Sequence, residues 1–275
     1  MSHLTPPTID LSAIARRVLA VQRAPAKPLP SGTTSLDLTV AAGPNWPDGT
    51  TVRAKLHRRG DGPPALLVHG WQSQAAELGT MAEALMAAGF SVWMPDLPAH
   101  GHAQGHHLSI PLAAATLTAA QAHTGPLALA VAHSYGAASL VQALHQGLDV
   151  ARVALLAAPT HYGTFARRAA LQGGVPAQLI DPLMRQLEGL IGVHPDAIDM
   201  VSQARSLTHP ALLLHSADDP IVPQAGLAQV AQVWPGAQWC PLDGLGHFKV
   251  LSDASVLARV QAFAAQWAPE GGGAA

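Results

Sequence analysis

Short apolar segments alternate with segments of helical spacing through much of this 275-residue chain. Four apolar runs come first, at residues 65–68, 91–94, 126–132 and 153–157. The same rhythm returns with apolar runs at residues 211–214 and 238–242. Strands that are apolar on both faces are typical of a parallel sheet covered by helices on both sides. The sequence therefore predicts an α/β protein with a mostly parallel sheet, which occupies residues 35–159 and 210–267.

The segments outside this rhythm predict additions to the sheet. Residues 1–34 combine a helical pattern with a proline-rich stretch, and they predict a peripheral helix and a linker. Residues 160–209 contain helical patches without a clear strand, so we expect a small helical cap inserted above the sheet. Residues 268–275 are rich in glycine and alanine and predict a disordered tail.

Composition excludes several classes of partner. The formal net charge is −2 and only 12% of the residues are charged, without a basic patch, so we expect no nucleic-acid partner. We find no signal peptide and no apolar run long enough for a membrane span. The single cysteine, Cys240, excludes an intramolecular disulfide and fits a reducing compartment. We therefore expect a cytoplasmic protein that is not bound to a membrane.

The pentapeptide Ala132-His133-Ser134-Tyr135-Gly136 lies between an apolar run and a helical segment. A sharp strand-to-helix turn exposes a serine hydroxyl above the positive end of a helix. The residues two before and two after that serine must be small, because they approach each other closely. Ala132 departs from the usual glycine by one methyl group. The pattern predicts that Ser134 is a nucleophile.

Three further features follow predicted strands. Trp71 comes after His69-Gly70, and its backbone N–H and that of Tyr135 are predicted to form an oxyanion hole. Asp219 follows the strand at 211–214, and it is favoured over its neighbour Asp218 as the acid that orients a histidine. His247 is the only histidine after Asp219, and it lies in a glycine-rich loop. The order Ser134, Asp219, His247 predicts a catalytic triad.

On these motifs the chain resembles the α/β-hydrolase fold superfamily over about residues 35–267. The resemblance implies a mostly parallel eight-stranded sheet with helices on both faces, a cap at 160–209 and a serine hydrolase mechanism without a cofactor. We predict a carboxylesterase that cleaves small to medium apolar esters through an acyl-enzyme, with Trp71 and His133 in contact with the substrate. The sequence leaves the oligomeric state open.

Other functions remain compatible with the same residues. A hydrolase of C–C or amide bonds and a perhydrolase use the same triad, and a slow-turnover ligand sensor could retain it. A haloalkane dehalogenase requires a carboxylate where this chain has Ser134. The histidines 100, 102, 106 and 107 lie close together in the sequence. Because no nearby carboxylate or cysteine completes a ligand set, we predict no metal site and expect these side chains to border the cleft.

Overall fold

A computed structural model describes residues 9–268 and contains one eight-stranded sheet. Its strands are β1 (Thr34–Ala41), β2 (Thr51–Arg59), β3 (Pro64–Val68), β4 (Ser91–Asp96), β5 (Leu129–His133), β6 (Val153–Leu156), β7 (Ala211–Ser216) and β8 (Ala237–Leu242). The spatial order is β1-β2-β4-β3-β5-β6-β7-β8. Strand β2 is antiparallel to both β1 and β4, and all other neighbours are parallel. The predicted mostly parallel eight-stranded sheet is confirmed.

Nine α-helices accompany the sheet within residues 9–268. They are α1 (Leu11–Leu19), α2 (Gly79–Ala87), α3 (Ile110–Thr124), α4 (Tyr135–His145), α5 (Tyr162–Gln172), α6 (Ile180–Ile191), α7 (Met200–Ala204), α8 (Gln224–Val233) and α9 (Ala254–Ala264). No helix in this part of the chain is long and apolar enough to cross a membrane. The predicted tail at 268–275 lies outside the described residues apart from its first position.

Helices cover both faces of the sheet because the central strands are apolar on both sides. In β5, Ala130 and Ala132 belong to one apolar cluster, and Leu129 and Val131 belong to the other. The first cluster includes residues of α3, α4 and α8, and the second includes residues of α2 and α9. All five residues of β5 are buried. The strand at the centre of the sheet therefore packs against a helical layer on each side.

The segment from 160 to 209 contains α5, α6 and α7 and no strand. Helix α1 differs from the predicted peripheral helix, because it packs against α6 and α5. Its residues Ala15 and Leu19 are fully buried in the larger apolar cluster. Asp10 caps the first turn by accepting hydrogen bonds from the backbone N–H groups of Ser12 and Ala13. The N-terminal helix is thus part of the same apolar layer as the segment predicted to form a cap.

Candidate active site

The sharpest turn of the backbone lies between β5 and α4, at Ser134. This residue has φ 52° and ψ −123°, a conformation that is strained for any residue other than glycine. Its N–H donates to the carbonyl oxygen of Leu156 at 2.9 Å, which ties the turn to β6. A Cβ at Gly136 would lie 2.3 Å from the carbonyl oxygen of His69, so only glycine fits there. Ala132 is fully buried, and its methyl group is accommodated within the core.

The three residues predicted as a triad lie within hydrogen-bond distance of one another. His247 Nε2 is 2.9 Å from Ser134 Oγ, and His247 Nδ1 is 2.7 Å from Asp219 Oδ2. An ionised carboxylate can only accept a hydrogen bond, so the hydrogen-bond network assigns the imidazole proton to Nδ1, which donates to Asp219. Nε2 is then free to accept the hydroxyl proton of Ser134. The arrangement has the geometry that activates a serine nucleophile.

Asp219 rather than Asp218 faces His247. Oδ1 of Asp219 accepts the backbone N–H groups of Ile221 at 2.8 Å and Val222 at 2.9 Å. The pKa of Asp219 lies below its usual value. Burial is the largest single effect and would raise this pKa, but the hydrogen bonds from Val222 and His247 together outweigh it. The carboxylate is therefore ionised at neutral pH. Its charge is directed at the imidazole.

Asp218 holds the loop that carries the histidine. It accepts the backbone N–H of Gly246 at 3.1 Å and the hydroxyl of Ser216. The Ser216 hydroxyl oxygen in turn accepts the N–H of Leu245 at 3.1 Å. These contacts tie the glycine-rich loop to the end of β7. The neighbouring aspartates consequently serve different segments of the same site.

A second imidazole contacts the acid of this site, and sequence reasoning missed it. His215, at the end of β7, is fully buried, and its Nε2 donates to the carbonyl oxygen of Val222 at 2.9 Å and to Asp219 Oδ2 at 3.1 Å. Burial lowers the pKa of His215 and favours the neutral ring. The sequence signal that could have indicated this contact is a histidine near the end of the apolar strand β7, four residues before Asp219.

His133 precedes the serine and contacts the loop that carries His247. Its side chain is buried, and Nε2 donates to the carbonyl oxygen of His247 at 2.8 Å. His133 is not among the residues that line the cavity beside Ser134. Burial and the nearby His247 lower the pKa of His133 to about 4, so the ring is neutral at physiological pH. The structure thus shows a contact of His133 with the loop of His247, and its contact with substrate stays a prediction.

The turn after β3 carries Trp71 and the start of α4 carries Tyr135, the two residues whose N–H groups are predicted to bind the oxyanion. Neither the N–H of Trp71 nor that of Tyr135 has a hydrogen-bond acceptor among residues 9–268. A Cβ at Gly70 would come within 3.1 Å of Ser134 Cβ, which shows how closely this turn approaches the serine. The rings of Trp71 and Tyr135 lie 5.1 Å apart. The two donors therefore belong to the two segments that adjoin the serine, the turn after β3 and the first turn of α4.

Buried histidines hold this turn in place. Gln72, with φ 58°, donates its N–H to His100 Nε2 at 3.0 Å. His100 Nδ1 donates to the carbonyl oxygen of Pro98 at 2.9 Å. Burial and, to a smaller extent, the nearby His69 lower the pKa of His100 to about 3. A neutral ring can accept and donate at the same time, which the charged ring cannot.

None of the four clustered histidines lines the cavity beside Ser134, but the ring of His100 lies 5.8 Å from that of Trp71, which does. His102 joins His57 and Asp96 in a group whose potential ligand atoms lie within 4.8 Å of one another. Asp96 already accepts hydrogen bonds from His57 Nε2 at 3.1 Å, His102 N–H at 2.7 Å and Ala75 N–H at 2.7 Å. These donors satisfy the carboxylate without a metal ion.

A cavity of about 350 Å³ opens beside Ser134. Its walls come from helices α1, α3, α4, α5 and α7 and from the loops that follow β3, β6 and β7. The lining is mostly apolar and contains no Asp, Glu, Lys or Arg. Its residues are Val18, Trp71, Ile110, Ser134, Tyr135, Ala138, Pro159, Thr160, Tyr162, Phe165, Ala166, Ala169, Ile198, Met200, Gln203, Ile221 and Val222. Such a cavity suits an uncharged group of moderate size.

The sheet order, the strained serine between β5 and α4 and the acid and histidine after later strands define an α/β hydrolase. The model of the alpha/beta hydrolase family matches residues 65–260. The chain therefore belongs to this family.

Comparisons with individual proteins agree with this assignment. The chain is 26% identical over 239 residues to a pimeloyl-[acyl-carrier protein] methyl ester esterase of Xanthomonas campestris, covering 72% of this chain and 93% of that protein. An esterase from Pyrococcus furiosus matches with a TM-score of 0.66 at 16% identity, covering 90% of this chain and 99% of the other. A thermophilic esterase from Thermogutta terrifontis matches with a TM-score of 0.63 at 18% identity, covering 83% and 97%. At these identities the two structures show the shared fold.

Proposed function

We propose that this protein is a serine carboxylesterase that cleaves small to medium apolar esters. The observation that carries the proposal is the hydrogen-bonded series from Ser134 Oγ to His247 at 2.9 Å and from His247 to Asp219 at 2.7 Å. Its serine opens onto an uncharged cavity. The sequence relative of Xanthomonas campestris is named as a methyl ester esterase, which supports ester hydrolysis.

The first half of the reaction forms an acyl-enzyme. His247 Nε2 removes the proton of Ser134 as Oγ attacks the ester carbonyl carbon. Negative charge develops on the carbonyl oxygen, which accepts hydrogen bonds from the N–H groups of Trp71 and Tyr135. The tetrahedral intermediate then collapses. His247 Nε2 gives its proton to the leaving alkoxide, and the alcohol departs.

The second half releases the acid. Water enters beside His247, which takes one of its protons while the hydroxide attacks the acyl carbon. The same oxyanion donors stabilise the second intermediate. Ser134 then leaves with the proton from His247 Nε2, and the free enzyme returns. In both halves the ionised Asp219 stabilises the imidazolium and keeps its Nδ1 proton directed away from the reacting atoms.

The size and lining of the cavity support the proposed substrate class. Its volume of about 350 Å³ lies at the small end of the range for ligand pockets, roughly 300–1,000 Å³. Val222 and Ile221, next to the acid, contribute apolar surface near the reacting centre. We propose that Trp71 contacts the bound ester, because it lines the cavity and carries one oxyanion donor.

We also propose that residues 160–209 form the cap over this cavity, with α1 as an added part. Both segments contribute to the lining, through Val18 of α1 and through α5 and α7. We propose a cytoplasmic location on the basis of the single Cys240, which fits a reducing compartment. His133 is proposed to position the loop of His247.

The test is Ser134→Ala assayed on p-nitrophenyl esters of increasing acyl length. Wild type should hydrolyse short and medium esters, and the variant should lose roughly 10⁶-fold in kcat. Ser202→Ala makes the same change at an exposed serine of α7, so it should retain activity. Circular dichroism checks that both variants fold. Retained hydrolysis in folded Ser134→Ala would refute the assignment.

A further inference from the structure

A second serine, histidine and aspartate are hydrogen-bonded in series at the β1 edge of the sheet. Ser35 Oγ lies 2.7 Å from His57 Nδ1, and His57 Nε2 lies 3.1 Å from Asp96 Oδ2. The three residues belong to the neighbouring strands β1, β2 and β4. We call these three residues the edge triad. The reaction proposed at Ser134 uses none of them.

The positions of the protons in the edge triad follow from the charge of Asp96. Burial would raise the pKa of this carboxyl, but hydrogen bonds from His57 and from the backbone N–H groups of His102 and Ala75 bring the pKa well below its usual value. The ionised carboxylate can only accept a hydrogen bond, so the network assigns the imidazole proton to Nε2 of His57. Nδ1 then accepts the hydroxyl proton of Ser35. The edge triad is thus polarised like the catalytic triad, with the roles of the two ring nitrogens exchanged.

Exposure differs along the edge triad. His57 and Asp96 are each 1% exposed, whereas Ser35 is an exposed residue. The pairing of β1 with β2 places Ser35 directly opposite His57. A reagent from solvent can therefore reach the serine, while the surrounding protein holds the imidazole in one orientation.

The backbone of Ser35 supplies a donor for an oxyanion. Ala42 N–H donates to the carbonyl oxygen of Thr50 at 2.8 Å, so the hydrogen-bonded pairs of the β1–β2 ladder contain Ala42 and every second residue before it. Ser35 and His57 consequently form a non-hydrogen-bonded pair, in which the side chains approach closely and the backbone groups point away from the opposite strand. Because β1 is the edge strand, the N–H of Ser35 points to the open side of the sheet. In serine proteases the N–H of the nucleophilic serine is itself an oxyanion donor.

We propose that Ser35 is a second acylation site, which takes a short acyl group from small activated acyl donors such as aryl esters and thioesters. Oγ attacks the acyl carbon as its proton moves to His57 Nδ1, and the N–H of Ser35 donates to the carbonyl oxygen. The bond to the leaving group breaks, and the leaving oxygen or sulfur takes the proton from Nδ1 as it departs. The product is an alkyl ester, a weaker electrophile than the donor, so the acyl group remains on Ser35.

The test measures acetylation by p-nitrophenyl acetate in Ser134→Ala, where the catalytic serine cannot react. Peptide mapping by mass spectrometry follows the acetyl group at each serine over time. Ser202 is the internal control, because this exposed serine donates its hydroxyl to Asp199 Oδ2 at 2.8 Å without an imidazole between them. Ser35 should be acetylated roughly 100-fold faster than Ser202, as expected for general-base assistance. Equal rates at the two serines would overturn the proposal.

His57→Gln, added to Ser134→Ala, removes the base, while the new amide can still donate to Asp96. In the folded double variant Ser35 should react no faster than Ser202, and an unchanged rate at Ser35 would overturn the proposal. If this buried substitution prevents folding, the two rates within Ser134→Ala decide the outcome on their own. Continued ester turnover by Ser134→Ala would instead overturn the esterase function, because Ser35 is acetylated only once per chain.

Discussion

Gly136→Ala tests whether the elbow around Ser134 is as tightly packed as the structure indicates. The added Cβ would lie 2.3 Å from the carbonyl oxygen of His69, where ordinary contacts begin at 3.4 Å. It would also lie 2.9 Å from Val68 Cγ1. Because His69 O belongs to the backbone, no rotation of a side chain relieves the clash. The end of β3 and the first turn of α4 must separate by about 1 Å.

The movement affects stability and activity by different amounts. Overpacking of a buried contact costs about 1 to 3 kcal/mol of unfolding free energy. In a protein of this size each kcal/mol lowers the Tm by roughly 2 to 4 °C. Trp71 follows the displaced His69 closely and Tyr135 precedes Gly136, so the two proposed oxyanion donors move apart. A misplacement of about 1 Å can cost roughly 100-fold in rate, and we expect this loss in kcat rather than in KM.

The assay combines thermal unfolding with the kinetics of p-nitrophenyl ester hydrolysis. Gly79→Ala is the matched control, because Gly79 has helical dihedral angles and a Cβ there meets nothing within 4 Å. The control should retain activity and gain up to about 1 kcal/mol of stability. If Gly136→Ala had the Tm and kcat of wild type, the close approach of β3 and α4 would not be a requirement of the site.

Three further substitutions test the surroundings of the site. Asp96→Asn should cost about 3 kcal/mol of stability in denaturant unfolding, whereas Asp61→Asn, at an exposed position, should cost nothing measurable. The pKa of Asp96 in the folded protein lies below the unfolded value of about 3.9. The stabilisation by this carboxylate is therefore present above pH 3.9 and is lost as the pH falls towards the folded pKa. If the stability of Asp96→Asn fell with acid pH as steeply as that of wild type, this reasoning would be contradicted. His215→Leu removes a hydrogen-bond donor to Asp219, so the carboxylate should stabilise the imidazolium of His247 more strongly. The acid limb of the pH profile of kcat/KM should therefore move to higher pH by up to about one unit. An acid limb at the wild-type pH would argue against the contact. Val18→Trp should fill part of the cavity and lower kcat/KM for medium esters more than for short ones, and an unchanged chain-length profile would show that α1 does not border the substrate.

The central sheet was predictable because its signal is local. Runs such as 65–68 and 211–214 are apolar at every position, and only a strand covered on both faces satisfies such a run. The order of serine, acid and histidine along the chain gave the residues that the structure brings within hydrogen-bond distance. In both cases the information lies in a short segment or in the order of segments.

The partners of other segments could not be read in this way. The helical spacing of α1 identifies an apolar face, but it does not say whether that face packs on the sheet or on α6. Whether His133 points to the cavity or to His247 depends on the direction of a side chain at the end of β5, which spacing leaves undetermined. His215 contacts Asp219 directly, in a turn where Val222 is hydrogen-bonded to both residues, and the spacing of these residues in the sequence does not indicate this. These are tertiary contacts between segments that carry no shared pattern.

The strained backbone of Ser134 is held by β3 and β6, the two strands on either side of β5. Its N–H is bonded to Leu156 of β6, and the turn is wedged against His69 after β3, so strands on both sides of β5 oppose a change in φ. Relaxing the serine would therefore require breaking pairs of the buried central sheet. The loops of Asp219 and His247, in contrast, are held by individual hydrogen bonds from side chains such as Asp218 and His133. Substitutions in those loops should consequently reduce activity before stability, whereas substitutions at the elbow should reduce both together.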